Sequence, residues 1–157
     1  MDTIPVLTIQ DVTEIDATLS NFLEQGEASL AIIIDKGGNI LSQQGELDSD
    51  DATIVAALAA GSFAATKELA RRIGEQEFSA LYNQGVKKHL FMQGVDDDTI
   101  LVTVFGSNTT IGLVRFYSTR AAQQLAATMR RIRSRPKDAG FSFDAHSLSQ
   151  SGPMFKP

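Results

Sequence analysis

The sequence predicts a three-layer α/β/α domain built on one five-stranded antiparallel sheet with helices on both faces. Apolar periodicity switches between helix-like and strand-like spacing in the order α-β-β-α-β-β-β-α. The links between the last three strand segments are too short for parallel crossovers, so those strands form an antiparallel meander. Every helix must bury a face, and covering one sheet from both sides is the economical way to do so.

Each element carries its own signals. Val12, Ile15, Leu19, Phe22 and Leu23 recur at helical spacing and mark a helix over 13–25, opened by Thr13 with Asp16 three residues on, and stopped at Gly26. The apolar, β-branched run Ala28 to Asp35, the turn Lys36-Gly37-Gly38-Asn39 and the run Ile40 to Gln43 read as a β-hairpin. An acidic loop leads into a long helix over 51–73, capped by Ser49 or Asp50 and stopped at Gly74. Three strands follow, Phe78 to Asn83, Lys88 to Gln93 and Thr99 to Phe105, separated by turn-rich links. Asn108, Thr109 or Thr110 caps a last helix that Pro136 ends. No internal repeat or low-complexity tract interrupts this order. The expected domain is 1–135, and 136–157 is expected to be a flexible tail in which Phe141, Phe143, Met154 and Phe155 are isolated apolar residues.

Composition narrows the function classes. With 157 residues, 43% of them hydrophobic, folding buries roughly 70% of the unfolded chain's surface, enough for a core without staples. The absence of Cys excludes disulfide frameworks, thiolate zinc sites, iron–sulfur clusters and cysteine nucleophiles, and fits a cytoplasmic address. No uninterrupted apolar run approaches the ~18 residues of a membrane span. Met1 to Gln10 has no Lys, Arg or long apolar stretch and does not read as a secretory signal.

The net charge of −5 hides an asymmetry, because residues 1–51 carry eleven acidic residues against Lys36 alone. Arg130, Arg131, Arg133, Arg135 and Lys137 form a cationic run near the end. Nucleic-acid contact is one use of such a run. The reading preferred here is a set of solvated cations that complement the dipole of the last helix. The surrounding chain is not basic and no aromatic residues interleave with the arginines, so no nucleic-acid partner is expected.

Catalytic signals are missing. His89 and His146 have no metal-ligand partner at helical spacing, and there is no Gly-x-Ser-x-Gly elbow. Lys36-Gly37-Gly38 and Gly106-Ser107-Asn108 lack the Gly-Lys-Ser/Thr of a phosphate loop. Asp96-Asp97-Asp98 lacks the twelve-residue loop with a terminal Glu that calcium needs, and reads as a hairpin turn. No catalytic residue, metal or cofactor is therefore expected, and the chain is not expected to be an enzyme.

The long helix is the informative segment. With Ile54 at 0° and about 100° per residue, Leu58, Gly61, Ala65 and Leu69 cluster on one side, expected to face the sheet. Ala56, Ala59, Ala60, Phe63 and Ala70 occupy the other side, with only Lys67 and Arg71 among them. A helix apolar on both sides is covered on both sides. In a domain this small the second cover is expected from another chain; the bland alternative is an Ala-rich surface helix chosen for propensity. On the side away from the expected sheet, Phe63, Lys67, Ala70 and Arg71 form the candidate partner-binding face.

Five motifs in order resemble the roadblock/dynein light chain family. They are Leu30 to Ile40 with its Asp-Lys-Gly-Gly-Asn turn, the Ala-rich helix ending Leu69-Ala70-Arg71-Arg72-Ile73-Gly74, and Thr109-Thr110-Ile111-Gly112-Leu113-Val114-Arg115, together with Glu77 to Gly85 and Leu101 to Phe105. The last two are similar to the bacterial branch, the mutual gliding protein B type, and the likeness spans about 15–133. The resemblance implies a profilin-like sandwich and a homodimer formed by the third strand and the long helix, here Ala56, Ala60, Phe78, Ala80 and Tyr82. It further implies that the dimer binds a GTP-bound small Ras-like GTPase across the paired helices and promotes hydrolysis by arranging the GTPase's own catalytic groups, without an arginine finger. The alternative function is a non-catalytic dimeric scaffold in a signalling, polarity or motor assembly, as eukaryotic roadblock proteins are. The tail has no clear counterpart in the simplest members.

Overall fold

The computed structural model of the chain describes residues 6–136. Its elements are α1 (Ile9–Gly26), β1 (Leu30–Asp35), β2 (Ile40–Gly45), α2 (Ser49–Arg72), β3 (Ala80–Asn83), β4 (His89–Asp96), β5 (Thr99–Phe105) and α3 (Ile111–Ser134). The strands form one five-stranded antiparallel sheet, as the sequence predicts, and their spatial order is β2-β1-β5-β4-β3. β3 and β2 are its edges.

Alternation along β1 builds both halves of the core. Leu30, Ile32 and Ile34 pack with Ala56, Ala59, Ala60 and Phe63 of α2, together with Met92, Ile100 and Val102. Ala31 and Ile33 point the other way, into a cluster with Ile15, Leu19 and Phe22 of α1 and Val114, Leu125 and Met129 of α3. All six residues of β1 are buried, which explains its uninterrupted apolar run. The turn after it is held by Asp35, whose Oδ1 accepts the N–H groups of Gly37 and Asn39, each at 2.9 Å. Gly38 adopts φ +90, and a Cβ there would lie 3.0 Å from the Ala57 Cα. The turn and α2 meet backbone to backbone, leaving room for glycine alone.

Several boundaries differ from the sequence reading. α1 starts four residues earlier, capped by Thr8 instead of Thr13. Thr8 Oγ1 accepts the Asp11 N–H at 3.0 Å and the Asp11 carboxylate accepts the Thr8 N–H at 2.9 Å, a reciprocal box that outcompetes the Thr13–Asp16 spacing. Thr13 Oγ1 instead donates to the Ile9 carbonyl inside the helix. The residue preceding α2 is Asp48, in place of Ser49 or Asp50, and its side chain makes no capping bond. Thr110, one of three candidates, caps α3. β3 begins at Ala80, so Phe78 lies ahead of the strand.

Candidate interaction surface

The main correction concerns α2. Ala52, Ala56, Ala59, Ala60, Phe63 and Ala70 are buried and face the sheet. Ile54, Leu58 and Leu69, expected to be inside, are 56%, 66% and 55% exposed, and Ile73 is 67% exposed. The helix is apolar on both sides, as read, but its faces are exchanged. The reason is distance: α2 lies so close to the β1–β2 hairpin that mostly alanines fit beneath it, and the branched side chains are turned outward. Where α2 lies over β4, Phe63, the one large inward residue, packs against Gly94, with Phe63 Cζ 3.5 Å from where a Cβ on Gly94 would lie, an ordinary contact distance.

The four residues expected to form a partner face are therefore divided. Phe63 and Ala70, 3% and 0% exposed, belong to the core. Lys67 is half-buried with its ammonium 5.5 Å from the centre of the Phe63 ring, a cation laid along an aromatic it shields. Arg71 is exposed, but Glu68 holds it through two hydrogen bonds of 3.2 and 3.0 Å. Glu68 also accepts from Arg72 Nε at 2.8 Å, and its carboxyl is lowered chiefly by the hydrogen bond from Arg71. Ala56 and Ala60, expected at a dimer contact, are covered by the chain's own sheet.

What α2 presents outward is a row of Ile54, Leu58, Gly61, Ala65 and Leu69 along about four turns. Gly61 is exposed in mid-helix, and a Cβ there would meet nothing within 4 Å. A glycine in that position costs about 1 kcal/mol of helix propensity relative to alanine. Nothing within the described residues calls for it. By length and composition alone α2 is apolar enough to cross a bilayer, yet its alanine side is packed on the sheet. One of its two apolar faces is buried on the sheet and the other is exposed.

The second surface is the edge of the sheet. Ser79 O accepts the Gly94 N–H at 3.0 Å, so Ser79 and Gly94 form a bonded pair. With Ala80 opposite Gln93 and Tyr82 opposite Phe91, alternation then turns the N–H groups of Ala80 and Tyr82 away from β4 toward the open edge. Phe78, Ala80 and Tyr82 are each half-buried. The Tyr82 ring stacks on Phe105 at 6.2 Å, on the α1 and α3 side of the sheet.

The cationic run is more engaged than its expected role as solvated cations. Arg131 reaches Glu14 with bonds of 3.1 and 2.8 Å, Arg135 grips Asp11, and Arg133 lies 3.7 Å from both Asp96 and Asp98. These pairs tie α3 to α1 and to the β4–β5 turn. Arg130 alone of the described members points to solvent without an ion pair, and Lys137 lies outside the described residues. Among the described residues no group of three His, Asp or Glu is placed to hold a metal.

The chain is thus a single-sheet α/β/α sandwich with an exposed apolar helix face on one side and an open strand edge beside it. A family model of the Roadblock/LC7 domain matches residues 14–105. Myxococcus xanthus MglB is 33% identical, with 76% of this chain and 97% of that chain covered at a TM-score of 0.72. The gliding protein MglB from Thermus thermophilus is 27% identical over 83% of this chain and 99% of its own, at 0.77. Profilin II of Acanthamoeba castellanii, 15% identical over 70% of this chain and 94% of its own, shares the fold at a TM-score of 0.51. Comparison with curated protein sequences finds no match. The chain belongs to the Roadblock/LC7 family and is of its MglB type.

Proposed function

We propose that the protein is a homodimeric regulator of a small Ras-like GTPase that stimulates GTP hydrolysis by positioning the GTPase's own catalytic groups. The observation that carries this reading is the outward row Ile54, Leu58, Gly61, Ala65 and Leu69 beside the open β3 edge, an apolar surface too continuous for a solitary domain. Antiparallel pairing of two β3 edges through the free N–H groups of Ala80 and Tyr82 joins two sheets into one and sets two α2 helices side by side. Gly61 lets those helices approach closely. One GTPase lying across the two-fold axis meets both copies of the outward face.

Catalysis belongs to the partner in this reading. The dimer contributes a rigid template that holds switch loops and water in the reactive arrangement, the part of phosphoryl transfer that depends on placement. The engagement of both Arg71 and Arg72 by Glu68 supports positioning over an inserted arginine. The likeness to gliding proteins supports a cytoplasmic, motility-related or polarity-related role. We also propose 1–135 as the folded domain, with 136–157 as an appended segment.

The scaffold reading rests on the same bare face, which binds without needing chemistry. Sedimentation at micromolar concentration tests the dimer, and single-turnover hydrolysis separates activation from simple binding. A species of about 17 kDa alone overturns the dimer, and binding without acceleration favours the scaffold.

A further inference from the structure

The opposite layer of the domain has a surface of another kind. α3 carries five arginines and no Asp or Glu. Two of them are paired to neighbouring elements, whereas Arg115, Arg120 and Arg130 have no acidic partner among the described residues. On the helix wheel Arg130 and Arg120 fall about 40° to either side of Phe116, on the side away from the core, whereas Arg115 lays its guanidinium 5.2 Å from the ring centre of the core residue Phe91. Phe116 is 56% exposed, lies edge-on to Tyr117 at 5.0 Å and carries the Arg120 guanidinium 5.8 Å above its ring. From Phe116 to Arg130 the face runs about 21 Å along the helix. The densest exposed acids, Glu46, Asp48, Asp50 and Asp51, lie at and before the start of α2, in the other layer. α1, beside α3 in the same layer, is acidic as well, but its Asp11 and Glu14 are taken up by Arg135 and Arg131, so Arg120 and Arg130 are left without an acidic partner on the outer side of α3.

We propose that the outer face of α3 docks on an anionic lipid bilayer. The face is the convex side of one helix and offers no groove for a peptide. Spaced arginines around one protruding aromatic match a surface of many phosphate groups with an apolar layer beneath. Two-fold pairing of β3 edges places the axis perpendicular to the joined sheet, so both α3 faces look the same way and four arginines and two phenylalanines meet one plane. That doubling rests on the homodimer proposed above; the single face does not. The acidic α2 ends point away from the bilayer, leaving the α2 face open.

The test is flotation of the full chain with phosphatidylcholine vesicles and with 1:1 phosphatidylcholine/phosphatidylglycerol vesicles, with sedimentation in parallel. The expected result is at least tenfold preference for the anionic vesicles, reversed by 0.5 M NaCl and reduced at least tenfold in Arg120→Glu/Arg130→Glu. The chain has no Trp, so Phe116→Trp supplies a single reporter whose emission shifts to the blue on anionic vesicles. No flotation, equal binding to both vesicles, unaltered binding of a folded double variant, or an unshifted emission from that reporter overturns the proposal. Binding to duplex DNA or polyglutamate in place of vesicles also overturns it, and assigns the face to a soluble polyanion. A dimer that does not float refutes the lipid surface alone; a monomer that floats refutes the doubling alone.

Discussion

Asp11 at the start of α1 and Arg135 just past the end of α3 form a two-pronged ion pair, with Nη1–Oδ2 at 2.9 Å and Nη2–Oδ1 at 3.0 Å. The Asp11 side chain is 2% exposed and Arg131 stands 3.7 Å away. The pair ties the start of α1 to the end of α3.

This clasp makes stability depend on pH in a definite sense. The hydrogen bond from Arg135 holds the Asp11 carboxyl well below the usual carboxylate range, and the bond from Arg131 lowers Glu14 in the same way. The native carboxylates therefore bind protons less readily than the unfolded ones. Their contribution is complete above the unfolded value near 4 and is lost as pH falls toward the folded values. Urea midpoints should be level from pH 7 to 5 and fall steadily below about 4. Asp11→Asn should cost about 2 kcal/mol at pH 7 and flatten that acid limb; an unchanged limb contradicts the clasp.

Phe63→Ala should unfold the domain more than it weakens any partner. Phe63 fills the space over Gly94 beneath α2. Emptying it should cost about 3–5 kcal/mol, read as a lower urea midpoint at unchanged slope. A fully stable variant contradicts the inward placement.

Ala80→Pro removes an N–H that faces the open edge, not the β4 ladder. The domain should stay folded by circular dichroism while the dimer weakens at least tenfold in sedimentation, because an edge proline harms only the next strand. An unchanged dimer places the contact elsewhere.

Truncation after Lys137 should leave the melting temperature within a few degrees of the full chain. All eight elements and the Asp11–Arg135 clasp lie within the described residues 6–136. A fall of many degrees on calorimetry contradicts the proposed 1–135 domain.

The order of elements and β5 from Thr99 to Phe105 were legible in the sequence, because strand runs and glycine turns are local signals. The double apolarity of α2 was legible too. Its orientation was not: hydrophobicity ranks Ile54, Leu58 and Leu69 above alanine for burial, whereas helix-to-hairpin distance decides here in favour of small residues. Gly38 was the available clue, since a glycine turn under a helix demands a small-residue face above it. The clasp escaped notice because Asp11 and Arg135 are brought together only by the antiparallel packing of α1 on α3.

The outward face of α2 is tested most directly by single-turnover GTP hydrolysis with a small Ras-like GTPase that the wild-type protein binds, with the full-length protein and with Leu58→Glu/Leu69→Glu. Both leucines are exposed in the single chain, so the fold should survive, as circular dichroism will show. The account predicts that the wild-type protein accelerates hydrolysis at least tenfold and that the folded double variant does not. No acceleration by the wild type, or equal acceleration by the variant, contradicts it.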